Sequence, residues 1–120
     1  MILTMKEELT ETINQVMVNY LPEGIDIFAK ERYGEIQDYR YMLMNILYCY
    51  TSLNYKEIGL IFNRHISSVA QYAERCEDRI FLDQEYKIRY NMLKDKLLDA
   101  IGSQVHGVVV LNEVKEYRSQ

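Results

Sequence analysis

Apolar residues recur along this chain at three- and four-residue steps, the spacing of one helix face. Leu9, Ile13, Val16, Met17 and Tyr20 predict a first helix over residues 4–20, with Thr4 as its cap and Glu7 in the capping-box position. Leu21-Pro22-Glu23-Gly24 ends it, and Ile25 to Phe28 is read as one short helical turn before a polar loop at 30–34. Ile36, Tyr39, Leu43, Ile46, Leu47 and Tyr50, widened by Met42, predict a central helix over 35–51. Ile58, Ile61 and Phe62 mark a short helix at 55–62, capped by Ser52 or Asn54. Val69, Ala73, Cys76 and Ile80 mark the next one, capped by Ser67. Tyr86, Tyr90, Leu93 and Leu97 mark a last helix from Asp83 to about Ala100, stopped at Ile101-Gly102. His106 to Val114 is rich in β-branched residues and predicts a short strand or an ordered tail.

The pattern between 55 and 80 is that of a helix-turn-helix. A short helix, a turn at Asn63-Arg64-His65-Ile66 and a longer helix with a polar start follow one another closely. Asn63 can take the left-handed conformation that ends a helix. Gly59 stands mid-helix against its propensity, which calls for close approach of a neighbouring helix. The second helix opens with small polar residues, Ser67 and Ser68, which let a backbone come near a phosphate. Gln71 carries the amide for adenine, and Arg64 and Arg75 the charge for guanine or phosphate.

Composition narrows the remainder. Five glycines and one proline among 120 residues favour long helices over many strands, and the length suits one domain. The expected architecture is therefore all-α, a multi-helix domain of five or six helices around the helix-turn-helix. Residues 1–100 form the domain and residues 101–120 a short irregular or β-like C-terminal tail. Net charge is −4, unlike most nucleic-acid binders, but residues 1–30 carry 2 basic against 5 acidic side chains while residues 61–120 carry 9 of each. A locally basic face thus remains compatible with the total.

Cys49 and Cys76 lie on apolar helical positions without metal-ligand spacing, and His65 and His106 are far apart. Neither a metal nor another cofactor is expected, nor an enzyme, since no nucleophile or carboxylate pair stands at a telling spacing. The N-terminal stretch is acidic where a secretion signal is basic and apolar, and no apolar run reaches membrane length, so a cytoplasmic protein is expected.

The residues from about Ile13 to Leu98 also resemble a known family. Ala29-Lys30-Glu31-Arg32 with Tyr39-Arg40-Tyr41-Met42, then Leu53-Asn54-Tyr55-Lys56-Glu57-Ile58-Gly59 with Phe62, then Arg64, Ser67-Ser68-Val69 and Glu74-Arg75 with Glu77, keep nearly ungapped spacing over about 85 residues. Together they resemble the C-terminal DNA-binding domain of the bacterial replication initiator DnaA. The resemblance implies double-stranded DNA as partner, Arg40 in a minor groove, and Lys30 and Arg32 on the backbone. It places Arg64, Ser67, Ser68 and Gln71 at the major groove. Lys56, His65 and Arg75 complete the candidate contact set.

The chain departs from the family in its turn. Asn63 stands for two glycines, and His65-Ile66 for the signature Asp-His. Glu31, Glu35 and Asp38 lie where the family is often basic or neutral, and no phosphate-binding GxxxxGK[ST] loop is present. The expected function is DNA binding without an ATPase motor, at an altered site. The alternative is a protein-interaction module that keeps the fold and has given up DNA.

Overall fold

A computed structural model of the protein describes residues 4–30 and 34–115. They form five helices: α1 Met5–Met17, α2 Gly34–Tyr50, α3 Tyr55–Phe62, α4 Ile66–Leu82 and α5 Gln84–Gln104. The all-α expectation holds, and the tail adds one isolated antiparallel bridge between Thr51 and Val110.

α2 is the central element. Met42, Leu43, Ile46 and Leu47 are wholly buried, so it is surrounded on most of its circumference. α4 packs chiefly on α2 and α3, and α1 lies against α5. The starts of α1, α3 and α5 follow the sequence closely. Thr4 and Glu7 form a reciprocal capping box on α1, and Asn54 and Glu57 form another on α3. Asp83 accepts from the Tyr86 amide at 3.1 Å and starts α5 after a single extended residue.

Several boundaries differ from the periodicity. α1 ends at Met17, where the Tyr20 and Leu21 amides both return to the Met17 carbonyl; the turn sets the Tyr20 ring edge-on to Tyr39, at 5.6 Å. Residues 25–29 hold hydrogen-bonded turns rather than a helical one. α5 runs through Gly102, because Ile101 and Val105 continue its buried stripe and outweigh the local cost of glycine.

The tail is not separate from the domain. Val105 and Val108 are buried in the same core as α1 and α5. Beyond them the chain runs along the end of α2. There the Leu111 amide donates to the Tyr50 carbonyl at 2.8 Å and the Ser52 amide to the Val109 carbonyl at 2.9 Å. The Lys115 amide donates to the Cys49 carbonyl at 2.7 Å. The bonds to Tyr50 and Cys49 satisfy carbonyls that the end of α2 would otherwise leave without partners.

Candidate nucleic-acid interface

α3 and α4 meet as a helix-turn-helix, and Gly59 decides how closely. Asn63 caps α3 at φ 54° and ψ 53°, and the Arg64 amide donates to the Gly59 carbonyl at 2.8 Å. A Cβ built on Gly59 would stand 2.5 Å from the Arg64 carbonyl oxygen and 3.6 Å from Val69 Cγ2. The close approach expected at Gly59 is real, but its nearest neighbour is the backbone of the turn rather than a second helix.

α4 starts one residue earlier than expected, at Ile66, and its cap is His65 rather than Ser67. The Ser67 amide donates to His65 Nδ1 at 3.1 Å, and Ser67 Oγ lies 2.8 Å from the same nitrogen. An accepting Nδ1 places the proton of the neutral ring on Nε2, the other edge. Spacing favoured serine because serine is the commoner cap; only the fold shows that the imidazole reaches the Ser67 amide.

Ser67, Gln71, Glu74, Arg75 and Asp78 all lie exposed along α4, while Val69, Ala73 and Cys76 are buried opposite them. The outward edge of α4 is therefore neutral and polar for its first turns, then mixed in charge. Ser68 is half-buried. Two aliphatic side chains also face solvent here, Leu60 on α3 and Ile66 at the start of α4. Lys56 is exposed in the first turn of α3. Arg64 is half-buried, and its guanidinium donates to the Phe62 and Asn63 carbonyls at 3.1 and 3.2 Å.

Arg40 corrects the expected picture of an arginine reaching out into a groove. It is only 2% exposed. Its Nε donates to the Ile27 carbonyl at 2.8 Å and its Nη2 to the Ala29 carbonyl at 2.5 Å. A long cationic side chain on the buried face of α2 thus holds the preceding loop by its carbonyls. The Phe28 ring packs on Phe62 of α3 at 5.1 Å and fixes the same loop from the other side. Lys30, next to the clamped Ala29, is exposed. Arg32, also expected among the contacts, lies outside the described residues.

Two arginines that sequence alone leaves open are committed internally. Arg79 pairs with Asp38 at 3.2 Å and Asp83 at 3.7 Å and stacks over Tyr86 at 4.4 Å; Arg89 reaches Asp38 at 3.8 Å. Asp38 therefore ties α2 to α4 and α5. Cys49 and Cys76 are free and buried, and burial pushes both thiols up to about 12, so they are inert at neutral pH. Among the described residues no group of three or more His, Cys, Asp or Glu is placed to hold a metal, and no helix is long and apolar enough to cross a membrane.

The class defined here is a five-helix domain with an exposed helix-turn-helix. The chain matches no protein-family model, no curated protein and no solved structure.

Proposed function

We propose that this protein binds double-stranded DNA through its helix-turn-helix, with the start of α4 in the major groove and no ATPase motor. The observation that supports this most is the exposed edge of α4: the outer nitrogen of His65, then Ser67 and Gln71, project from a helix whose angle to α3 is held by Gly59. Gln71 offers a base-reading amide, and the Ile66 side chain offers apolar contact to a thymine methyl. Lys30, Lys56 and Arg75 supply phosphate contacts, with Arg64 beside them. Arg40 acts in this reading as a positioning residue for the Lys30 loop and not as a contact.

The test is selection from random duplex oligonucleotides at two salt concentrations. Enrichment of a common site at low salt is expected. Arg75→Ala should weaken binding to every sequence and reduce the salt slope by about one. Gln71→Ala should instead relax preference at one base pair.

A second reading is favoured by a specific feature, the presence of Glu74 and Asp78 on either side of Arg75 along the same exposed edge. Carboxylates there repel phosphate, and together with exposed Leu60 and Ile66 they suit a protein partner. Absence of any enrichment at low salt would favour that reading over DNA.

A further inference from the structure

On the side of α4 away from its first turn, a half-open cleft of about 570 Å³ lies between the end of α2, the later turns of α4, the start of α5 and the tail. Its volume is that of a small-molecule site. The walls combine two chemistries. Tyr50, Ile80 and Val114 give it apolar surface, while Lys87 on α5 and Lys115 on the tail bring ammonium groups and Glu77 on α4 a carboxylate. Two polar side chains of the floor are already paired with protein groups. The Asn45 amide donates to the Ala73 carbonyl at 3.0 Å and accepts from the Tyr90 hydroxyl at 2.5 Å, and the Cys49 thiol beside it stays protonated.

We infer that this cleft binds a small amphipathic organic anion, with its apolar body against Tyr50, Ile80 and Val114 and its acidic group toward Lys87 and Lys115. Two cations against one anion make the cleft locally positive in a chain of net charge −4. Glu77 stands on the α4 wall, so the charged end of a ligand is directed to the α5 and tail side. Among the described residues no carboxylate lies within 4.0 Å of either ammonium group, so neither is already held in an ion pair there. Lys115 is held by the Leu53 carbonyl at 2.9 Å and the Tyr48 ring at 4.5 Å, so its charge is fixed in place before a ligand arrives. This inference does not depend on the DNA reading.

The test uses two dyes that share one body, 8-anilinonaphthalene-1-sulfonate and the uncharged N-phenyl-1-naphthylamine, titrated by fluorescence into the whole folded protein. The sulfonate should bind at one saturable site and more tightly than the neutral dye. Lys87→Gln, at an exposed position of α5, should weaken the sulfonate by about 3- to 5-fold, the scale of one partly solvated ion pair, and leave the neutral dye unchanged. Added salt should weaken the sulfonate alone. The proposal is overturned if the sulfonate does not saturate, if both dyes bind equally, or if Lys87→Gln changes neither. It is equally overturned if binding is lost in Phe81→Ser/Leu82→Ser, which alters only the exposed apolar tip between α4 and α5.

Discussion

At Gly59 a single missing methyl sets the angle of the helix-turn-helix. In an open helix interior, glycine to alanine stabilises by up to about 1 kcal/mol. At Gly59 the added carbon would meet the Arg64 carbonyl at 2.5 Å, and that oxygen belongs to the turn backbone and cannot swing aside. Gly59→Ala should therefore destabilise by about 1–3 kcal/mol, the cost of overpacking, while Gly102→Ala, with nothing within 4 Å, should stabilise. Urea unfolding of the two variants gives opposite signs if this is correct. Arg40 shows the same scale from the polar side. Its residue type and position resemble a groove contact, yet burial and two backbone carbonyls give it a structural task. No local pattern distinguishes a buried arginine from an exposed one, because the difference lies in which carbonyls the distant loop presents.

Among the elements, α4 depends most on its first turn. The His65 ring both caps the helix and stands at its outward edge. His65→Ala should cost about 0.5–2 kcal/mol of stability through the lost cap, and His65→Asn should recover most of it, because asparagine is an effective cap. The measurement is thermal unfolding, and a His65→Ala variant as stable as the parent would remove the capping role. The residue that ends α3 was legible: Asn63 is the chain's only non-glycine residue at positive φ among those described. The Thr4-Glu7 box was legible too, since cap and partner are three residues apart and need nothing from the rest of the fold; at α3 the structure chose Asn54 over Ser52 as cap and paired it with Glu57. The ends of α1 and α5 were not. Whether Tyr20 continues a helix, or Gly102 interrupts one, depends on what the next turn can bury.

For the molecule as a whole, α1 and the segment after α5 are joined by residues 98 positions apart. The Glu8 carboxylate accepts from the His106 amide at 2.9 Å and lies 3.2 Å from its Nδ1, which ties α1 to the tail. These bonds to His106 hold the Glu8 carboxyl below its ordinary value of 4.5. A carboxyl lowered in the folded state stabilises fully above 4.5 and loses that stabilisation as pH falls through its folded value. Stability should therefore drop more between pH 5 and 3 in the parent than in Glu8→Gln, as followed by urea midpoints across that range. An equal loss in both would mean that other carboxyls carry the acid sensitivity. Asp38 and Asn45 act at the same scale, each linking α2 to both α4 and α5. Their partners are 28 to 51 positions away, which no periodicity reveals.

By itself the sequence determined the helix content, most of the core stripes, the Thr4-Glu7 capping box and the helix-turn-helix outline. Each of these follows from spacing or from pairs within one turn. The tertiary structure decided what depends on distant backbone. It made His65 the cap of α4, gave Arg40 to a loop and Arg79 to an ion-pair network, and built the tail into the core through Val105 and Val108. A side chain's residue type states which bonds it can make. Only the folded chain brings up the partners that decide which ones it does make, and hence which polar groups of the α3–α4 face remain open to a ligand.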